Sequence, residues 1–189
     1  DEMEYATVRD GVRRIMFRNL NLKDPFLTRV KKDGLFYRTL FHVKKYSGLM
    51  HKHEMTGDDD PDSWGHTVIA RNKEDVQEAA ELYRDGLDSA GHARLGQLLG
   101  FPPCCIEFFG KVWLDGGVWD PLFEAGVNTG FARLSKSRGK DIVDIQGHPY
   151  CNTLLRYIGI RAASWLTCSY DCPATIARVK QWLRLGREI

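Results

Sequence analysis

The segment 100–109 reads Gly-Phe-Pro-Pro-Cys-Cys-Ile-Glu-Phe-Phe and places two adjacent cysteines directly after two prolines. Proline is favoured in the first turn of a helix, because its ring presets φ and the missing N–H would have no helical partner there. The pattern therefore predicts a helix from Cys104 to Leu114 with both thiols at its start. A helix N-terminus favours the thiolate, which is the form that binds metals or attacks electrophiles.

A second pair of cysteines, Cys168 and Cys172, precedes another proline-started helix. Asp171 is a candidate N-cap, and Pro173 occupies the first helical position. We expect the two helix starts to meet and to form one metal site, which consists of Cys104, Cys105, Cys168 and Cys172. Such a thiolate set suits an iron–sulfur cluster or zinc, and we favour the cluster slightly.

The cysteine spacing matches neither of two common metal motifs. Structural zinc usually shows Cys-x2-Cys knuckles, and radical enzymes that use S-adenosylmethionine need a Cys-x3-Cys-x2-Cys run. Neither motif occurs in this chain. The competing interpretation is that the four cysteines are small hydrophobic core residues, because free cysteine is often buried.

Polar residues near the cysteines are candidates for acid, base or anion-binding roles. Glu107 follows the cysteine pair, while Asn152 and Arg156 are four residues apart and would share a helix face, followed by Arg161. The predicted catalytic residues are Cys104, Cys105, Glu107, Asn152 and Arg156. Each polar member could instead form a surface salt bridge.

The fifth cysteine and the histidines give weaker signals. Cys151 is either a further ligand or, as we favour, a buried residue. His51, His53 and His66 lie in or beside a polar loop and are either a metal site or solvated residues. We interpret His92 and His148 mainly as hydrogen-bonded structural residues.

Composition limits the class of protein. The chain has 189 residues, of which 43% are hydrophobic and 28% charged, as expected for a globular protein. Its odd count of five cysteines and the absence of an evident signal peptide predict reduced thiols and a cytoplasmic location. No apolar run is long enough for a membrane span. We therefore expect no membrane partner.

The charge pattern bears on nucleic-acid binding. The net charge of +2 argues against nucleic acid as the main partner, without excluding it. The basic segment 133–140 has the composition of a phosphate-contact loop or of a simple solvated loop. We leave the substrate open as an unknown small molecule or protein.

Periodicity predicts an α+β, helix-dominated single domain over 1–189 with a small N-terminal β element. Residues 1–71 would hold the strands, with a mobile loop at about 45–66, and residues 72–189 would be mainly helical. Strands are predicted at 35–44 and 67–71, and a loop at 126–141. Helices are predicted at 4–20 (although 14–17 could also extend), 72–85, 87–99, 104–114, 120–125, 152–158 and 171–185.

Segments 95–109, 152–161 and 168–175 resemble a family of uncharacterised prokaryotic proteins. The family pattern is a Leu-Gly-aromatic-Pro-x-Cys-Cys turn followed later by a Cys-Ser-aromatic-Asp-Cys segment. The resemblance covers roughly the C-terminal half and implies that the two cysteine segments belong to one site. It implies no particular activity.

Three functional hypotheses follow from these observations. The leading one is a metal- or iron–sulfur-binding enzyme or enzyme subunit. The second is a metal-free thiol or redox enzyme that uses a cysteine at a helix start. The third is a nucleic-acid-binding or nucleic-acid-modifying module.

Overall fold

The computed structural model of the protein describes residues 2–21, 24–44, 63–117, 120–130, 132–137, 139–153 and 162–186. The chain divides into two compact units. One comprises 1–87 and 98–100, and the other comprises 88–97 and 101–189. In both units helices accompany a small antiparallel sheet, so the predicted α+β, helix-dominated fold is confirmed.

The first unit is a three-stranded antiparallel sheet with helices against it. Its elements are α1 (Glu2–Arg9), β1 (Ile15–Leu20), α2 (Pro25–Lys32), β2 (Phe36–Lys44), β3 (Ser63–Ala70) and α3 (Lys73–Arg84). The strand order is β1-β3-β2. Side chains of α1 and α2 form a buried core with Met16, Leu20 and Ile69 of the sheet. Because strand residues alternate between faces, Phe17 and His66 point to the opposite face, where they contact Tyr83 of α3.

The predicted helix over 4–20 is wrong in its second half. The helix α1 ends at Arg9, and Gly11 has a φ of 75°, which reverses the chain before β1 begins. Of residues 14–17, which the sequence also allowed to be extended, 15–17 lie in β1. Helix α2 was not predicted from the sequence. Its start is stabilised by the Asp24 side chain, which accepts a hydrogen bond from the Phe26 amide at 2.9 Å.

The second unit contains the cysteines. It consists of α4 (Ser89–Leu98, all but its last residue), α5 (Pro103–Phe109), α6 (Pro121–Val127), the strands β4 (Ala132–Ser137) and β5 (Lys140–Ile145), and α7 (Pro173–Gly186). A π-helical turn, Gly110–Asp115, continues α5, and a 3-10 turn spans Pro149–Cys151. Helices α4 and α5 approach closely, since a Cβ built on Gly96 would lie 2.9 Å from Cγ1 of Ile106.

The loop predicted at 126–141 is wrong. Its second half forms the antiparallel hairpin of β4 and β5, in which Lys136 pairs with Asp141 and Ser137 with Lys140. The turn is made at Gly139, whose φ of 74° suits a tight hairpin. These short strands contain few apolar residues among their charged residues and serines, so the sequence shows no clear strand pattern there.

The other predicted elements agree closely with the structure. The strand at 35–44 corresponds to β2, and the helices at 72–85, 87–99, 104–114, 120–125 and 171–185 correspond to α3, α4, α5 with its π-helical turn, α6 and α7. The strand at 67–71 corresponds to β3, which begins earlier, at Ser63, so the mobile loop predicted at about 45–66 is wrong over 63–66. The rest of that loop lies outside the described residues. The helix predicted at 152–158 lies almost wholly outside the described residues. Of the described helices, none is long and apolar enough to cross a membrane. The single domain over 1–189 stays a prediction.

Candidate metal centre

Four cysteine sulfurs converge in the second unit. The Sγ atoms of Cys104, Cys105, Cys168 and Cys172 all lie within 4.8 Å of one another. Cys172 is central, with its sulfur 3.7 Å from that of Cys104 and 3.9 Å from that of Cys105. The two adjacent cysteines have their sulfurs 4.0 Å apart. The four are close enough to hold one metal ion, so the predicted meeting of the two segments is confirmed.

The start of α5 sets the direction of the first two thiols. Pro102 has extended backbone angles and Pro103 opens the helix, so that Cys104 and Cys105 occupy its second and third positions. Neighbouring side chains on a helix point about 100° apart. Cys105 is accordingly 2% exposed, whereas Cys104 is exposed. One thiol thus faces the core while the other is open to solvent.

Cys172, and not Asp171, occupies the N-cap position of α7. Its carbonyl accepts from the Ile176 amide, as expected for the residue that precedes a helix. Its sulfur accepts a hydrogen bond from the amide of Thr175 at 3.4 Å. The thiol therefore takes the place of a capping hydroxyl or carboxylate, and the helix N-terminus favours negative charge on it.

Asp171 instead fixes the loop that carries Cys168. One of its carboxylate oxygens accepts from the Ser169 hydroxyl at 2.7 Å, and the other accepts from the Gly130 amide at 2.9 Å. The carbonyl of Cys168 accepts from the Asn128 side chain at 3.3 Å. These contacts hold the loop against the end of α6 and position the Cys168 sulfur.

Tyr170 ties the same loop to two further segments. Its amide donates to the Thr129 hydroxyl at 3.0 Å, and its carbonyl accepts from the His148 amide at 2.7 Å. Its ring is buried with Phe108 and Ala125. The cysteine loop is thus fixed on both sides by hydrogen bonds and packing, so the thiols are held in place by their surroundings.

Behind the sulfurs lies a hydrogen-bonded pair that the sequence analysis missed. The buried hydroxyl of Thr175 lies 3.4 Å from the sulfur of Cys105 and accepts from the indole N–H of Trp165 at 3.2 Å. Trp165 packs edge-to-face against Trp182, with ring centroids 5.0 Å apart. A threonine one turn after a cysteine at a helix start was the only available signal, and it is a weak one.

The thiols influence one another's protonation. Hydrogen bonds from Cys105 and Cys168 hold the pKa of the Cys172 thiol far below its usual range. For Cys105, the interaction with Cys168 lowers the pKa, but the hydrogen bond to Cys172 and burial outweigh it and raise it to about 12. Hydrogen bonds to Cys105 and Cys172 also raise the pKa of Cys168. Without metal, the first proton is therefore lost at Cys172.

Cys151 is buried and stands outside the group of four, which agrees with the interpretation we favoured. It is 0% exposed, and its sulfur lies 3.7 Å from the carbonyl oxygen of Cys172. Burial raises the pKa of its thiol to about 12. The thiol is therefore protonated at neutral pH and acts as a small buried group.

The structure does not group the polar catalytic candidates with the four sulfurs. Glu107 is exposed on α5 and is not one of the grouped ligands. Asn152 is half-buried and follows the 3-10 turn, where its amide donates to the carbonyl of Pro149. Arg156 and Arg161 lie outside the described residues. Catalytic roles for these residues stay predictions.

The described histidines have structural contacts. His66 forms a 2.7 Å hydrogen bond with Asn19 and stacks between the rings of Phe17 and Phe41. His51 and His53, which could form a metal site together with His66, lie outside the described residues, so that site stays a prediction.

The other two histidines lie in the second unit. The ring of His92 packs against that of Phe109, with centroids 5.7 Å apart. Nδ1 of His148 accepts a hydrogen bond from the amide of Tyr150 at 3.1 Å and so caps the 3-10 turn. Both contacts agree with the structural role expected from the sequence.

Comparison with known proteins adds no relative: no family model, curated protein or solved structure matches the chain significantly. The resemblance to an uncharacterised prokaryotic family therefore stays a prediction.

Proposed function

We propose that the protein binds one Zn²⁺ ion through Cys104, Cys105, Cys168 and Cys172. The observation that supports this proposal is the spacing of the sulfurs. A tetrahedral zinc site with Zn–S bonds of about 2.3 Å has sulfur–sulfur edges of about 3.8 Å. The sulfurs of Cys104, Cys105 and Cys172 lie 3.7, 3.9 and 4.0 Å apart, and that of Cys168 lies within 4.8 Å of each of them.

The same spacing argues against the iron–sulfur cluster that we favoured slightly from the sequence. In a four-iron cluster each cysteine binds a different iron atom, and in a two-iron cluster two cysteines bind each iron. In both kinds of cluster, bridging sulfides separate the irons, so cysteine sulfurs on different irons lie farther apart than the edges of a tetrahedron around one ion. Four sulfurs within 4.8 Å of one another suit a mononuclear centre.

Four thiolates leave no open position on zinc, which is the arrangement of a structural site. The ion would join the start of α5 to the start of α7. Their ligands Cys104 and Cys172 are 68 residues apart in the sequence. Structural zinc contributes about 10–16 kcal/mol of apparent binding free energy to folding in small zinc peptides. The proposal includes a reducing compartment such as the cytoplasm, where the thiols stay available for the metal.

Metal analysis of the full-length chain tests the proposal. The protein is purified without added metal or chelator, and zinc, iron and acid-labile sulfide are measured per chain. We expect about one zinc per chain, no labile sulfide, and loss of zinc when Cys105 or Cys172 is replaced by serine. Substitution with Co²⁺ should give the visible bands of tetrahedral thiolate coordination.

Cys151→Ala is the matched control, because Cys151 is a cysteine of the same unit that is buried beside the group without belonging to it. This variant should keep the full zinc content. If the protein instead contains iron together with a proportional amount of acid-labile sulfide, the zinc proposal is wrong and the centre is an iron–sulfur cluster. A metal-free chain that is fully folded would overturn the proposal.

A further inference from the structure

The four sulfurs of the centre have two different environments. Those of Cys105 and Cys172 are buried and receive hydrogen bonds from protein donors. The Thr175 hydroxyl and the Cys168 amide contact Cys105, and the Thr175 amide donates to Cys172. The sulfur of Cys104 has only Cys105 and Cys172 as hydrogen-bonding neighbours among the described residues.

Exposure divides the sulfurs in the same way. Cys105 and Cys172 are 2% and 1% exposed, Cys168 is half-buried, and Cys104 is exposed. An electrophile from solvent thus has the widest approach to Cys104. The two buried cysteines are shielded from solvent by the surrounding protein.

Hydrogen bonding and exposure act together on nucleophilicity. A donor that contacts a thiolate draws electron density from the sulfur and makes it a weaker nucleophile. A metal keeps its cysteine ligands deprotonated, so each bound sulfur is already in the reactive form. Cys104 is open to solvent, and among the described residues no N–H or O–H donor contacts its sulfur. Cys105 and Cys172 are buried, and such donors contact both of them.

We propose that Cys104 is the reacting thiolate of the zinc centre and accepts alkyl groups from small soft electrophiles. This inference rests on the proposed zinc site. A lone pair on Sγ of Cys104 forms the new S–C bond, and the carbon–leaving-group bond breaks with its electron pair going to the leaving group. No proton moves, because the bound sulfur carries none. The product is a neutral thioether, and the charge of the centre changes from −2 to −1.

The other three cysteines would then act as the anchor that keeps the ion in place. Hydrogen bonds to Cys105 and Cys172 stabilise these ligands as thiolates and spread their charge. They keep the metal bound while the exposed ligand reacts. Cys168, which is half-buried and held by its loop, is the internal comparison for Cys104, because its sulfur also forms hydrogen bonds with cysteine sulfurs, those of Cys105 and Cys172.

The test uses zinc-loaded full-length protein and iodoacetamide at less than one equivalent per chain, with peptide mapping by mass spectrometry. We expect Cys104 to be alkylated at least about tenfold faster than any other cysteine, with iodide as the leaving group. Zinc is measured in the same samples. A first modification at Cys168, or equal modification of both, would overturn the inference.

The Cys104→His variant separates reactivity from metal binding, because three cysteines and one histidine also form a structural zinc site. It should keep zinc and lose the fast alkylation, while Cys151→Ala should react like the unaltered chain. If zinc is present and Cys104 is inert, the inference fails and the proposed zinc site stands. If the protein holds no zinc, both fail.

Discussion

Trp165 and Thr175 form a hydrogen bond whose direction is fixed by chemistry. The indole Nε1–H can only donate, so the Thr175 oxygen, 3.2 Å away, accepts from it. The same oxygen lies 3.4 Å from the sulfur of Cys105. When Cys105 is a metal-bound thiolate without a proton, the hydroxyl of Thr175 has to be the donor in that contact. The pair therefore forms a chain of donors that ends on Cys105, one of the four proposed metal ligands.

Replacing Thr175 by valine should weaken zinc binding. Valine has nearly the same shape but lacks the hydroxyl, so Cys105 loses a donor and the indole of Trp165 loses its acceptor. Loss of such a supporting hydrogen bond typically costs about 10–100-fold in metal affinity. Competition with a chromophoric chelator measures the affinity, and Co²⁺-loaded protein should show shifted thiolate charge-transfer bands.

Thr175→Ser is the matched variant, because it keeps the hydroxyl and removes a methyl group. It should restore most of the affinity if the hydrogen bond is responsible. Equal losses in the valine and serine variants would instead mean that Thr175 acts through packing. An unchanged affinity in the valine variant would remove the proposed role of the hydroxyl.

Replacing Asp171 by alanine should also weaken zinc binding, through the position of Cys168. The carboxylate bridges Ser169 and Gly130 across the loop, so its loss releases the segment that carries the ligand. Hydrogen bonds to a charged group contribute about 1.5–3 kcal/mol. We expect a lower free energy of unfolding and faster zinc release to a chelator.

Asp171→Asn provides the comparison, since its amide oxygen can still accept one of the two bonds. Its zinc release should fall between those of the alanine variant and the unaltered chain. If the alanine variant releases zinc at the original rate, the loop is held mainly by the buried ring of Tyr170.

The places of the cysteines within their own segments were largely predictable because the signals for them are local. Proline at the first helical position sets where Cys104 and Cys105 lie on α5, and Pro173 does the same for Cys172 on α7. The meeting of the two starts did not follow from local rules, and was inferred from the four cysteines at two helix starts and from the family resemblance.

The supporting residues could not be predicted because they act over long separations in the chain. Thr175 reaches a sulfur 70 residues earlier, and Trp165 approaches Thr175 only because the chain turns between them. The β4–β5 hairpin was missed for a related reason, since its stability comes from pairing across the turn at Gly139 and not from a strong apolar pattern. The proposal of zinc in place of a cluster rests on sulfur–sulfur distances, which the spacing of cysteines in the sequence does not contain.

Cys151 should be the least reactive cysteine of the folded protein. Its pKa of about 12, raised by burial, leaves it protonated at neutral pH, and the protein interior keeps reagents away from it. We expect no modification by iodoacetamide in the native protein and rapid modification after unfolding in denaturant. Mass spectrometry of the peptide that contains residue 151 provides the measurement. Early native labelling of Cys151 would show that its surroundings open.

In the first unit, Tyr5 should give the protein an alkaline stability limit. Its buried hydroxyl donates to Asp33 at 2.6 Å, and its pKa is raised above the usual value by burial, then by the hydrogen bond and negative charge of Asp33. The neutral phenol is thus favoured in the folded state. Its contribution to stability is complete below the unfolded pKa of about 10 and is lost as pH rises from there towards the folded pKa.

The Tyr5→Phe variant isolates this contribution from the other groups that titrate in the same range, including the thiols. At about pH 8 it should be less stable than the unaltered chain by roughly 1.5 kcal/mol, the contribution of a hydrogen bond to a charged acceptor. The difference should shrink as the pH is raised above about 10, since only the unaltered chain can then gain by ionising its unfolded state. Denaturant unfolding of both proteins across this range measures the difference, and parallel curves would show that Tyr5 ionises as readily in the folded protein as in the unfolded chain.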